Sequence, residues 1–380
     1  MKNNFRIITS CLLIAALLLC MPLGGCRSRK NTAPSVSGKA IMHEEEFGGV
    51  YIDLTIDDFN ALGFAYGDSV DVTFSNGCRL EGIPYYNGYY TQTGEPLLVA
   101  YPGYPYIKAC INNGDDLWAL AGLKETDQAQ ITRAEQAAYL DIQNARDIHY
   151  EDDRDLFSSD AVFANFRSVQ AGGIRENTLY RSASPCDNQH NRATYVDDLI
   201  AEAGVRYIVN LSDNEEKIQG YLSGEDFDSP YFLSLYEDGN VIPLALNMNF
   251  SSDEFRAKIV KGFAAMAEHE GPYLVHCTEG KDRTGFVCML LEALCGASYQ
   301  EIVDDYMITY DNYYGITKQD DPARYDVIVE NVLDPMLRSV VGDGSVDLKT
   351  ADLSGYAEQF LRNAGMNNEQ ITALKERLGS

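Results

Sequence analysis

Residues 271–294 read GPYLVHCTEGKDRTGFVCMLLEAL, and no other stretch constrains the chain as much. Pro272 to Val275 have the length and apolar content of a short buried strand, and Thr284 to Leu294 form a nearly all-apolar run long enough for a helix buried on most sides. Between them, Cys277 to Arg283 form a Cys-x5-Arg turn that joins a strand to a helix N-terminus. The first amides of a helix have no intrahelical partner and the helix dipole adds positive charge, so such a turn suits an oxyanion. A thiol under that field and beside cations ionises readily, and the thiolate is the nucleophile, which marks Cys277. Arg283 adds a planar, permanently charged fork able to hold two phosphoryl oxygens. Gly280 lets the backbone turn inward.

The same spacing occurs again at Cys186 to Arg192 (CDNQHNR). That copy has no glycine and follows Pro185 instead of an apolar strand, so it reads as a polar loop. Strand, glycine, lysine, arginine and helix together assign the chemistry to Cys277.

Acidic residues outnumber basic ones 57 to 30, for a formal charge of −27. Nucleic acid and bare anionic membrane are repelled by such a chain and are excluded as partners held by long-range attraction. With 380 residues, 45% of them hydrophobic, the chain exceeds one typical domain and two are expected. Its nine cysteines make no disulfide scaffold, because Cys11, Cys20 and Cys26 lie in the leader and Cys277, Cys288 and Cys295 in or after the catalytic turn. A Cys78–Cys110 bridge is conceivable outside the cytoplasm but not favoured. No His/Cys cluster has zinc-ligand spacing, so neither metal nor cofactor is expected.

Residues 1–26 begin with Lys2 and Arg6, continue through an apolar run and end in Leu-Gly-Gly-Cys, which reads as a lipoprotein signal peptide with Cys26 as the lipidated residue. An extracytoplasmic, membrane-anchored protein is expected. Residues 27–46 are polar and read as a tether. Short β-rich runs separated by Gly, Asn, Asp and Pro over 47–132 predict a small β domain, within which 61–74 and 119–132 look like copies of one unit. Its tyrosines at 85, 86, 89, 90, 101, 104 and 106 are better explained as half-buried strand aromatics than as a groove. Residues 133–155 carry a helical pattern and read as a connection. Helical and strand-like runs then alternate over 156–380, which predicts an α/β domain with ligands beyond the strand C-termini, where Cys277 falls.

HCTEGKDRTGF resembles the phosphate-binding loop of the cysteine-dependent phosphatases, and most closely that of bacterial secreted tyrosine and dual-specificity lipid phosphatases. NFRSV at 165–169, LYRSASP at 179–185, IVNLSD at 208–213 and the C-terminal helical segment extend the resemblance over about 155–380. It implies a central sheet flanked by helices and two-step hydrolysis of a phosphomonoester through a cysteinyl-phosphate. Thr278 to Thr284, with Glu279, Gly280, Lys281, Asp282 and Arg283, would hold the phosphate, and His276 would orient the loop. Thr284 would assist the leaving thiolate. For the general acid the resemblance offers Asp282, inside the loop, then Asp213 after the YIVNLS strand, then Asp253. Lys281 gives capacity for further phosphate groups, so phosphoproteins, inositol phosphates and phosphoinositides all remain as substrates. A lipoprotein that binds phosphorylated ligands without turnover is the alternative.

Overall fold

The alternation in SVDVTF sets the pattern of the N-terminal half: Val70, Val72 and Phe74 are buried, while Asp71 and Thr73 between them are partly exposed. A strand with one apolar face must pair and cover that face. The computed structural model describes residues 33–379, and the leader with Cys26 lies outside them. Strands β1 (Ser35–His43), β2 (Val50–Ile52), β3 (Ser69–Phe74), β4 (Arg79–Tyr86), β5 (Pro96–Val99), β6 (Ile107–Ile111) and β7 (Gln128–Glu135) close into a barrel ordered β1-β2-β6-β5-β4-β3-β7. Its interior is filled by Val50, Ile52, Val70, Val72, Tyr85, Leu98 and Ile131, with Phe59 and Phe64 stacked at 4.1 Å. The segments 61–74 and 119–132 both run from the end of a short helix through a turn into a strand, and those strands, β3 and β7, pair antiparallel.

Two boundaries differ from the sequence expectation. The tether expected over 27–46 contains β1, which pairs with β7 through Ser35 and Thr132 and with β2 through Ile41 and Ile52. β1 was hidden because only Ile41 along it is buried and the register slips between Val36 and Lys39. The helical pattern expected from residue 133 yields to β7, where Arg133 and Glu135 pair with Val70 and Ser69. Pairing overrides local propensity there, and the helix begins only at Leu140 and ends at Arg146. Cys78 and Cys110 are both free thiols.

The second sheet comprises β8 (Arg167–Ser168), β9 (Leu179–Ser182), β10 (Tyr207–Asn210), β11 (Val241–Pro243) and β12 (Tyr273–His276), ordered β11-β10-β12-β9-β8. β11, β10, β12 and β9 are parallel and β8 is an antiparallel edge. Successive residues point to opposite faces. Tyr207, Val209, Tyr273 and Val275 therefore join the core formed with helices Asp253–Glu268 and Asp282–Leu294. Ile208 and Leu274 join the opposite core, with Val196, Ile200 and Phe232. Every residue from Thr284 to Leu294 is buried, as expected for a helix enclosed on most sides. The α/β sheet flanked by helices and preceded by a β-rich region is the architecture expected from the sequence. Barrel and sheet belong to one compact unit from Pro34 onwards.

Candidate functional site

The turn after β12 is held from behind by its carbonyls. Gly280 O accepts from Asn165 Nδ2 at 3.2 Å and from an Arg181 guanidinium nitrogen at 3.1 Å. Glu279 O accepts from the Tyr313 hydroxyl at 2.8 Å, and Thr278 O from the Ser184 amide at 3.1 Å. Gly280 has φ +68°, and a Cβ there would stand 2.3 Å from Ser182 O, so both the left-handed backbone and the close approach to β9 exclude a side chain. The amides of Thr278 to Arg283 have no protein acceptor among the described residues. Carbonyls engaged on one side and unpaired amides at a helix N-terminus make an anion cradle.

Cys277, 3% exposed, begins that cradle. Arg283 ends it, reaching Leu246 O at 3.3 Å and Thr278 Oγ1 at 3.5 Å. The Thr284 hydroxyl is buried without a partner among the described residues. His276 is fully buried, with Nδ1 3.4 Å from Cys277 O. Burial pushes its pKa down to about 4, aided by the Arg283 charge and opposed by Asp213, so the imidazole is neutral and suits an orienting role better than that of a proton acceptor near neutral pH.

The three aspartates named from sequence part company. Asp253 opens the helix Asp253–Glu268, with its side chain fully exposed and 3.6 Å from Arg256. Asp213 is buried, and its carboxylate accepts from Asn210 Nδ2 at 3.0 Å, Ser212 Oγ at 2.9 Å and the Tyr221 hydroxyl at 3.3 Å. Asp282 lines a cleft of about 490 Å³. Both its oxygens lie 2.9 Å from Lys281 Nζ. Burial opposes its ionisation, but Lys281, Arg146 and Arg283 outweigh it and hold the carboxyl below the usual range.

Behind the loop stands a charge network that sequence reasoning missed. Asp305, on the helix Tyr299–Tyr314, accepts from Arg167 Nε at 2.9 Å and from Arg181 at 2.5 Å, and Arg181 passes the contact on to Gly280 O. Arg167 also donates to Asn165 Oδ1 at 2.7 Å. NFRSV and LYRSASP thus act as braces for the turn. The signal for their partner was one of three acidic residues within EIVDDY, indistinguishable by type from an exposed helix carboxylate. Glu292 is wholly buried beside them, and burial with the Asp305 charge raises its pKa well above the carboxylate range. Glu279 is tied by the Tyr150 hydroxyl and lies 3.8 Å from His190. The second Cys-x5-Arg copy is a polar loop, partly exposed over 187–191, whose two ends are buried: Cys186 is 3% exposed, and Arg192 donates to Phe163 O at 2.9 Å and Asp152 at 2.8 Å.

The sequence model described as "Tyrosine phosphatase family" matches residues 139–380, well over half of the chain. A tyrosine-protein phosphatase of Nostoc commune is 34% identical over 122 residues, which are 30% of this chain and 41% of that protein; the chain thus spans about two fifths of the length of this curated relative. The core catalytic domain of a PP-IP phosphatase from S. cerevisiae, in complex with citrate, is 20% identical with a TM-score of 0.27, covering 44% of this chain and 92% of that one. TpbA of P. aeruginosa bound to pTyr is 18% identical with a TM-score of 0.28, covering 52% and 96%. The family match spans β12, the cradle, the helix behind it and the braces from Asn165 to Asp305, and the chain belongs to the tyrosine phosphatase family.

Proposed function

We propose that the chain hydrolyses phosphomonoesters through a cysteinyl-phosphate formed at Cys277. The observation that carries this is the cradle itself, with carbonyls bonded outward and the amides of Thr278 to Arg283 unpaired around a cysteine. The Cys277 thiolate attacks phosphorus, an S–P bond forms, the ester P–O bond breaks and the leaving oxygen takes a proton from Asp282. Water then attacks phosphorus, its proton returns to Asp282, and the sulfur leaves as thiolate with a hydrogen bond from Thr284. Arg283 and the amides hold the equatorial oxygens throughout. Asp282 is held ionised by its cations, but a bound phosphate dianion offsets those same cations and lets it take up the proton it must donate.

Substrates of this reading are phosphotyrosine, phosphoserine/threonine, inositol phosphates or phosphoinositides. Thiolate, arginine and amides supply the charge that the reaction needs. The purified chain is therefore expected to hydrolyse an aryl phosphate at a rate unchanged by EDTA in the presence of a thiol reductant. No turnover under those conditions would leave the alternative of a non-catalytic binder of phosphorylated ligands; reversible loss on chelation would sink the metal-free scheme.

We further propose that the mature chain is held outside the cytoplasm by lipid on Cys26, which the leader sequence supports. Without that anchor a chain with acidic residues in such excess has the wrong charge for anionic lipid. Cys26→Ala is expected to shift the protein from the membrane fraction to the soluble fraction, or to accumulate it as precursor. A processed variant that still sediments with membranes would contradict it.

A further inference from the structure

The helix Leu140–Arg146 stands between barrel and sheet and is fixed to both. On the barrel side Gln143 and Asn87 bond reciprocally: Gln143 Nε2 donates to Asn87 Oδ1 at 2.7 Å, and the Asn87 amide donates to Gln143 Oε1 at 3.3 Å. Ile142 packs on the barrel cluster of Tyr86, Leu97, Val99 and Cys110. On the sheet side Ala145 belongs to the main core, and Arg324 donates to Ala145 O at 3.4 Å and to Asp147 O at 3.3 Å. Bonded on both sides, the helix presents its last residue, Arg146, in a fixed place.

That place is the cleft which Asp282 also lines. The Arg146 guanidinium lies 5.3 Å from the centre of the Tyr90 ring, in the barrel loop that carries Asn87, and no carboxylate pairs with it among the described residues. A cation held by a ring instead of an anion keeps its charge available to the cleft. The charged and titratable groups that face Asp282 come from four directions. Lys281 and Arg283 flank it in the turn, Arg146 reaches it from the barrel seam, Tyr150 from the stretch after that helix, and Tyr306 from the helix Tyr299–Tyr314. Burial raises the pKa of both tyrosines, so they are neutral near pH 7. Once a phosphate dianion fills the cradle, Arg283 and the amides turn their charge to its oxygens. Lys281 and Arg146 are then the cations left to the Asp282 carboxylate.

We infer that Arg146 is a positioning residue for the reaction: held at the cleft by the barrel, it supplies charge to Asp282 and limits how far up the pH scale Asp282 keeps the proton that it donates. The inference rests on the reading of Asp282 as the acid. It gives the barrel a task in catalysis that needs no contact with substrate. The direction is fixed, because a cation favours the carboxylate and its removal leaves Asp282 protonated to higher pH.

The test is the pH profile of the pre-steady-state rate of the full chain at saturating phenyl phosphate, whose leaving oxygen needs a proton, and at saturating p-nitrophenyl phosphate, whose leaving oxygen needs little help. For Arg146→Gln the rate at about pH 8 relative to that at about pH 6 is expected to rise about threefold or more on phenyl phosphate, and little on the nitrophenyl ester. Arg146→Lys should return the profile towards wild type. Tyr90→Leu, which removes the ring that holds the guanidinium, should act in the same direction as Arg146→Gln and more weakly. A profile that Arg146→Gln leaves in place or moves to lower pH overturns the inference. So does an equal effect on both esters, or a rate lowered alike at every pH together with Tm, since those are the marks of a merely structural arginine. Asp282→Asn separates the two readings. If it removes the high-pH limb on phenyl phosphate while Arg146→Gln fails to move that limb, the role of Arg146 alone is refuted; if it leaves the limb in place, Asp282 is not the acid and both readings fall.

Discussion

Cys277→Ser is expected to lower kcat on an aryl phosphate by at least about a thousandfold, while inorganic phosphate binds with an affinity little changed. The argument is a difference between two parts of one turn. A serine hydroxyl is hardly ionised near neutral pH, and His276, buried and neutral with Nδ1 turned to the Cys277 carbonyl, is not placed to take its proton. The amides of Thr278 to Arg283 owe their orientation to Gly280 and to the bonds that Asn165, Arg181, Tyr313 and Ser184 make with the loop, and the substitution touches none of these. Steady-state kinetics with calorimetric titration of phosphate reads both halves. A serine variant that keeps more than a few per cent of the rate would remove the covalent step, and one that loses phosphate binding along with the rate would show that the cysteine also builds the cradle.

The turn was legible because its determinants are local: an apolar strand, a glycine that must take positive φ, and an apolar helix follow one another in the chain. The parallel sheet was legible for a similar reason, since runs such as YIVN and YLVH are buried on both faces. What stayed hidden depends on partners distant in sequence. β1 is mostly exposed and is a strand only because β7 and β2 are there to bond it. RLEGIPYY, which forms β4, contains a glycine and a proline that argue against a strand until β3 and β5 flank it. Asp305 contacts residues over a hundred positions away, and no periodicity marks such a contact. Tyr89 is a strand-end aromatic by composition, but it bonds Tyr104 at 2.7 Å and also lines the cleft, so the two readings of those tyrosines are not exclusive.

The largest effect on stability is expected at Asp305, which never touches substrate. Arg181 is 1% exposed and Arg167 12%, and Asp305 is the carboxylate that each contacts. Asp305→Asn leaves the buried Arg181 guanidinium, and the partly buried one of Arg167, without this counter-charge, a loss of about 3–5 kcal/mol by analogy with other broken buried pairs. Arg181 then loses the geometry that holds the Gly280 carbonyl, so kcat/KM should fall together with Tm. The pH dependence gives the sign. Burial opposes ionisation of Asp305, but Arg167 and Arg181 overcome it and depress its pKa far below the carboxylate norm. Its contribution is therefore fully present above the unfolded pKa of about 4 and drains away as acid protonates the unfolded chain first. The gap in stability between wild type and Asp305→Asn should be widest near neutrality and narrow below about pH 4. Glu292 provides the internal contrast. Its raised pKa means that the folded chain carries a neutral acid while the unfolded chain ionises, so at neutral pH this group opposes folding. Glu292→Gln should leave Tm unchanged or higher there. Denaturant unfolding of the two variants across pH tests the assignment directly. If Glu292→Gln proves as destabilising as Asp305→Asn at neutral pH, then Glu292 and not Asp305 carries the negative charge that anchors the arginines behind the loop.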